Sequence, residues 1–281
     1  MRGGEAGAVP AAYVALVRDT ARSVGVLGAL GQVAACLGGS DGLLQPPAEL
    51  ARPELLGELY QALMGRDERR ARGAFYTPPD LAAEVAAETL GPLVDGGRPA
   101  GEVRVCDPAV GGGALLLAAA RYLIGRGADP GTTIANLAGL DLDPVAARLA
   151  RLALALLGGT AAIAVGDALA TRPRGGFDAV VTNPPFLGQL KRDTARRREE
   201  AATRVARFGE AAGGYADAAA LFLVVSLELV GDGGRVGIIL PEPALVTRDA
   251  GPARRRVGGA SVLARQWPAP PSSFDAGTRA R

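Results

Sequence analysis

The chain has 281 residues, with 31 Lys and Arg against 29 Asp and Glu, two cysteines and no histidine. That length holds one large domain, or one domain with a small companion. The lack of histidine excludes Ser-His-Asp and Cys-His triads, a histidine base and a histidine-ligated metal, and two cysteines make neither a zinc cluster nor a disulfide framework.

A net charge of +2 is too small to mark the whole chain as a nucleic-acid binder, so any basic surface must be local. The basic residues are 30 Arg and one Lys, Lys191, which in a chain this rich in Ala and Gly follows a compositional bias. Sparse cysteine fits a reducing, cytoplasmic setting. No run reaches the roughly 18 continuous apolar residues of a membrane span. The nearest, Val24–Leu37, is interrupted by Gly25, Gly28 and Gly31 and reads as a buried helix rather than a signal peptide.

In chain order, residues 1–70 read as a helical region. Ala11–Val24 and Glu54–Met64 carry apolar residues at helical spacing, among them Leu55, Leu59 and Leu63. The Gly- and Pro-rich stretch Gly38–Pro53 between them reads as a loop. From about residue 100, short apolar runs alternate with Ala- and Leu-rich helical stretches. The expected strands are Val103–Cys106, Ala138–Leu140, Ala161–Val165, Ala179–Thr182 and Val236–Leu240. The expected helices are Leu115–Ile124, Pro144–Leu157 and Ala216–Val230. This alternation predicts an α/β fold, a mostly parallel sheet with helices on both faces. In such sheets ligands bind beyond the carboxyl ends of the strands. Those ends carry Asp107, Asp141, Asp167 and Asn183, so the polar groups collect at one rim.

Four strings carry the chemistry. The Gly-rich turn Cys106–Leu116 lets a backbone approach a ligand, and the helix start after it offers N–H groups. It lacks the third glycine of a dinucleotide fingerprint and the Lys-Ser/Thr of a phosphate loop, so alone it does not separate a cofactor site from a tight turn. Asp141, 34 residues past Asp107, stands where a carboxylate can accept from a ribose diol, whereas Asp143 before Pro144 reads as a helix cap. Asp167 either meets an adenine amino group or forms a turn. In Phe177–Phe186, Pro184 and Pro185 force extended backbone without N–H groups. The Asn183 side-chain oxygen and the Pro184 carbonyl can then face one amino group, with the Phe186 ring beside it for stacking.

These strings resemble the amino-methyltransferases that use S-adenosylmethionine, above all the N6-adenine DNA methyltransferases of restriction–modification and phage-defence systems. Asn183–Phe186 matches the family's Asn-Pro-Pro-Phe/Tyr string, Asp107–Gly113 its Asp-Pro-Ala-x-Gly-x-Gly string, and Gly73–Pro78 an element that precedes it. Leu56–Tyr60 resembles the family's lead-in helix, and Ala219–Pro241 continues the match, which covers about residues 55–277 in the gamma order.

The resemblance implies a Rossmann-like methyltransferase sheet after the helical N-terminal region, with a catalytic domain over residues 71–281. It implies that Tyr76, Thr77 and Pro78 line the methionine end of the cofactor, and that Asp107, Ala109, Gly111 and Gly113 form the turn around it. Asp141 would hold the ribose, Leu142 would lie against the cofactor's adenine, and Asp167 and Ala168 would bound that ring. Asn183, Pro184, Pro185 and Phe186 would hold a target adenine flipped out of DNA. Cys106 follows Val105, not Pro, which removes the cysteine-nucleophile chemistry of cytosine-C5 enzymes.

Lys191–Arg207 holds seven basic and three acidic residues, so Lys191, Arg192, Arg196, Arg197 and Arg198 are candidate DNA contacts, with an exposed charged helix as the equal alternative. Arg254–Arg256 is a weaker candidate. The resemblance further implies a target-recognition domain and another sheet strand beyond these residues, or a specificity subunit that supplies what is missing. RNA guanine-N2 and protein glutamine methyltransferases share the Asn-Pro-Pro-aromatic string but not the Gly73–Pro78 element. A cofactor-binding remnant that transfers no methyl group is the non-enzyme alternative.

Overall fold

The computed structural model describes residues 9–41, 44–64, 76–171, 175–185, 195–212 and 218–268. Five strands form one sheet: β1 (Val105–Asp107), β2 (Leu137–Asp141), β3 (Ala162–Val165), β4 (Phe177–Thr182) and β5 (Val230–Ile238). Their order is β3-β2-β1-β4-β5, and every neighbouring pair is parallel. The expected parallel sheet is thus present, and among the described residues every pairing in it is parallel. The order runs outward both ways from the β1/β4 pair, so the crevice at their carboxyl ends is the switch point where such sheets bind ligands.

Side chains alternate between two cores, as the two-residue period of a strand requires. Val105, Ala179 and Val181 enter one core, while Cys106 and Val180 enter the other. The first core is built with α3 (Pro79–Asp95), α4 (Ala114–Gly125) and α6 (Pro144–Ala155); α5 (Pro130–Ala135) adds Ile134 to it. The second belongs to α8 (Ala218–Leu229), with contributions from α7 (Ala195–Phe208), α9 (Glu242–Val246) and α10 (Gly251–Gly258). Covering both faces explains why the central strands β1 and β4 read as continuous apolar runs, whereas in β3 only Ile163 is buried.

The N-terminal helices share the first core. In α1 (Ala11–Leu37) Tyr13, Val17, Leu30 and Val33 are buried, and in α2 (Leu55–Leu63) so are Leu55, Leu56 and Leu59. By length and composition α1 could cross a membrane, with mean hydropathy 1.3 over 18 residues. It is broken at Gly25, whose φ of 76° is not helical, close to the expected end at Val24.

Several expected boundaries move. β1 starts at Val105 because a 3₁₀ turn occupies Ala100–Glu102, and it runs on to Asp107. β5 starts at Val230 rather than Val236, because the Gly-rich stretch is a bulge within the strand. Its register jumps from Phe177 against Val230 to Ala179 against Arg235, with Gly233 at φ 74°. Correspondingly α8 stops at Leu229.

Helix α3 was not expected at all. Pro79 opens it at the first helical position, where a missing N–H costs nothing, but Pro92 inside it masks the pattern. Its buried residues Leu81, Ala82, Val85, Ala86, Thr89 and Leu90 repeat at helical spacing. The approach to β5 is close: a Cβ on Gly237 would collide with Thr89 Oγ1 and stand 3.1 Å from Val85 Cγ1. Gly237→Ala should therefore lower stability by about 1–3 kcal/mol through overpacking. Urea unfolding measures it, and an unchanged midpoint would show that α3 can give way.

Candidate functional site

A cavity of about 680 Å³ opens at the carboxyl ends of the strands. That lies inside the roughly 300–1,000 Å³ range of small-molecule sites. The Gly-rich turn after β1 forms its floor. Asp107 is 1% exposed, and its Oδ1 accepts from the Ala109 N–H at 2.9 Å, which bends the chain out of the strand. Burial pushes its carboxyl from 3.8 up to about 7, opposed by the bond from the Ala109 N–H and the nearby Thr182 side chain and reinforced by the charge of Asp141. Burial, then the charge of Asp107, also pushes the Cys106 thiol up, so Cys106 is no nucleophile at neutral pH.

Gly111 (φ 52°) and Gly113 (φ 92°) take backbone conformations that side chains disfavour. Gly113 is also the residue on which α4 starts, and a Cβ there would meet Ala150 at 3.3 Å. It therefore shapes the turn from behind, while Ala109, Gly111, Gly112, Ala114 and Leu115 line the cavity.

Asp141 ends β2 and ties two loops together. Its Oδ2 accepts from the Gly111 N–H and its Oδ1 from the Asp143 N–H, both at 2.8 Å. These bonds fix the carboxylate at the cavity wall. Asp143 caps α6 as expected, accepting from the Val145 N–H at 2.9 Å. Leu142 lines the cavity and is 72% exposed, an apolar side chain with little protein against it. Asp167 and Ala168 line the cavity from the neighbouring strand end, where the Gly166 N–H donates to the Asp141 carbonyl; Asp167 Oδ1 accepts from the Leu169 N–H at 2.8 Å, so it is a turn residue as well as a lining one.

Two strings 106 residues apart meet at the rim. Asn183 Nδ2 donates to Thr77 Oγ1 at 3.0 Å, and Thr77 is buried. The bond orients the amide, with its nitrogen on Thr77 and its oxygen on the opposite side. Tyr76, Thr77, Asn183 and Pro185 line the cavity, whereas Pro78 caps α3 and Pro184, between two lining residues, is buried. The Tyr76 hydroxyl donates to Glu58 Oε1 at 3.0 Å, so the ring rather than the hydroxyl faces the cavity.

Phe186, Lys191 and Arg192 lie outside the described residues, as does Gly73–Phe75. Arg196, Arg197 and Arg198 fall in α7, so that stretch is helical. Two arginines of the expected basic patches are used internally. Arg207 is buried on Glu228 at 2.9 Å and on the carbonyls of Ala168 and Thr171, and Arg256 reaches Glu228 at 3.0 Å. Among the described residues no group of three or more Cys, Asp or Glu is placed to hold a metal.

Several lining residues had no site role in the sequence reading: Gly57, Tyr60 and Gln61 from α2, Met64 at its end, Arg204 from α7 and Phe222 from α8. Helical periodicity looks alike for a side chain facing a core and one facing a ligand, and the resemblance of Leu56–Tyr60 and Ala219–Pro241 to the family assigned these residues no role.

The profile of the N-6 DNA Methylase family matches residues 51–257. Among solved structures, a protein from Listeria monocytogenes assigned to the class I S-adenosylmethionine-dependent methyltransferases superposes with a TM-score of 0.65 at 17% identity, over 95% of this chain and 84% of that one. The methyltransferase subunit of a type I restriction–modification system from Streptococcus thermophilus gives 0.50 at 20% identity, over 90% and 60%. The type IIL restriction–modification enzyme MmeI, solved with DNA, gives 0.55 at 14% identity, over 91% and 48%. At these identities the likeness is one of fold, and the chain spans less than two thirds of either restriction–modification protein. The family profile runs from α2 through the cavity-lining turns to α10, and the chain belongs to the N-6 DNA methylases, the S-adenosylmethionine-dependent methyltransferases that act on adenine in DNA.

Proposed function

We propose that this chain is the catalytic part of a cytoplasmic DNA-modification enzyme, with S-adenosylmethionine in the cavity and the target adenine, flipped from the duplex, at Asn183–Phe186. The observation that carries this reading is the Asn183–Thr77 bond, which brings the Tyr76–Pro78 and Asn183–Pro185 strings to one rim. The cavity fits the cofactor: its volume suffices, a carboxylate stands ready for a diol, Leu142 and Phe222 offer apolar surface for a base, and the floor is glycine backbone.

The bound cofactor supplies an activated methyl group on sulfonium. The chain's own residues do the rest. The lone pair of adenine N6 is delocalised into the ring, so N6 is a weak nucleophile. The Asn183 side-chain oxygen and the Pro184 carbonyl accept its two hydrogens and stabilise the positive charge that grows on it. Thr77 holds the amide so that the acceptor does not need to reorganise. The aromatic face of Phe186 would fix the ring plane for in-line attack, with reacting atoms ~3–3.5 Å apart; the N6–methyl bond forms as the sulfur–methyl bond breaks, the thioether leaves neutral, and one N6 proton is lost to solvent. No histidine, metal or covalent intermediate enters this scheme.

DNA would be held by the basic segment that follows Phe186, from Lys191 and Arg192 to Arg196–Arg198 on α7, and site choice would come from a recognition domain or specificity subunit. This places the chain's role within a larger modification system, as for the longer enzymes it is similar to.

Asn183→Ala should leave cofactor binding intact and lower methyl transfer to DNA by about 10²–10³-fold, as when a charge-stabilising group is removed. Thr77→Val should lower kcat in the same direction but less; radiolabelled methyl transfer with calorimetry of cofactor binding checks both, and full activity in Asn183→Ala would refute its role. Because the Asp107 pKa is raised in the folded state, its stabilising contribution is complete below about pH 4 and is lost as pH rises through about 7. Thermal melts of the free protein should show Asp107→Asn gaining on the wild type between pH 4 and pH 8; a constant difference would mean that Asp107 does not titrate there. Replacing Arg196, Arg197 and Arg198 together by Ala should flatten the salt dependence of DNA binding by about 0.9 in log–log slope for each phosphate no longer neutralised. An unchanged slope would leave that segment a solvated helix.

A further inference from the structure

The helix α2 stands upstream of every string that resembles a cofactor motif, yet it makes one wall of the cavity. Gly57, Tyr60 and Gln61 fall at i, i+3 and i+4, one face of the helix, and all three line the cavity, as does Met64, the extended residue that ends it. Leu55, Leu56 and Leu59 fall outside that set and are fully buried in the core. The helix is thus gripped on one side and presented to the cavity on the other.

Three attachments set its position. Gly57 packs on the Gly-rich turn so tightly that a Cβ on Gly112 would lie 2.8 Å from Gly57 Cα. Glu58 accepts from the Tyr76 hydroxyl at 3.0 Å and pairs with Arg52 at 2.7 Å. The Tyr60 hydroxyl donates to Asp143 Oδ2. This last bond leads into the cavity wall, because the Asp143 N–H donates to Asp141 Oδ1 and the Gly111 N–H donates to Asp141 Oδ2. Tyr60, Asp143, Asp141 and the Gly-rich turn are therefore one connected hydrogen-bond network that starts on α2.

We propose that α2 is a working wall of the cofactor site and that Tyr60 is a positioning residue, holding Asp141 through Asp143 in register with the ribose hydroxyls of the cofactor. The inference rests on the cofactor reading above and extends it to a helix outside the sheet. A hydroxyl donated to a carboxylate is among the stronger hydrogen bonds. Losing it frees the Asp143 carboxylate to turn, and with it the loop that presents Asp141. The effect falls on the diol and not on the rest of the cofactor.

The test uses the full chain, calorimetry, and two probes: S-adenosylhomocysteine and its 2′,3′-dideoxy analogue. Tyr60→Phe removes one oxygen and keeps the buried ring. It should weaken S-adenosylhomocysteine about tenfold while changing the dideoxy analogue by less than about twofold. Gly112→Ala, at a backbone conformation alanine accepts, should push α2 off the turn and weaken both probes. Unchanged binding of S-adenosylhomocysteine to Tyr60→Phe, or equal weakening of both probes, would overturn the role given to Tyr60; unchanged binding to Gly112→Ala would overturn the wall. If the wild-type chain bound neither probe, the cofactor reading itself would fall and this inference with it. If the wild type bound both probes equally, Asp141 would not read the diol, and the proposal for Tyr60 would fall alone.

Discussion

The parallel register of β1 between β2 and β4 is the constraint from which the site follows. Cys106 lies across from Ala138 on one side and from Val180 on the other. Because these strands point the same way, the residues that end them emerge together: Asp107, Asp141 and, after Thr182, Asn183. An antiparallel neighbour would have sent one of them to the far edge. Parallel strands need helical crossovers, and those crossovers bury both faces of the sheet. The same geometry that makes the core dry also gathers the polar groups at one rim.

The rim is then fixed by backbone donors. Asp107 takes the Ala109 N–H, Asp141 takes those of Gly111 and Asp143, and Asp167 takes that of Leu169. Each carboxylate holds its own loop before any ligand arrives, which is how a cavity of polar loops keeps its shape. Asp107 is the extreme case, with its carboxyl so buried that its ionisation moves up to about 7. The packing of α2 on Gly112 closes the structure from outside the sheet. Glycine at 112 is demanded there by proximity, whereas at 111 and 113 it is demanded by backbone conformation.

Much of this was legible in the residues. The central strands β1 and β4 could be read from short apolar runs because a strand buried on both faces has no polar alternation. The Asp143 cap could be read from Asp-Pro before a helical pattern, and the structure places it there. The strings at Asp107–Gly113 and Asn183–Phe186 were legible because a tight turn and two consecutive prolines restrict the chain locally. What escaped had a shared cause. Pro92 disguised α3, and the Gly233 bulge hid the start of β5. Arg207 counted as surface charge until the fold buried it on Glu228.

The sequence by itself determined the chemistry on offer: no histidine, acidic strand ends, a Gly-rich turn, and an Asn-Pro-Pro string that presents acceptors without N–H groups. These are local properties, set by residue type and by neighbours a few positions away. Only the tertiary structure decided that Thr77 would orient Asn183 from 106 residues upstream, and that Tyr60 and Gly57 would belong to the cavity. The reason is physical. A hydrogen bond or a close approach between distant segments depends on how helices pack on the sheet, and helical periodicity carries no mark of what a buried face will meet.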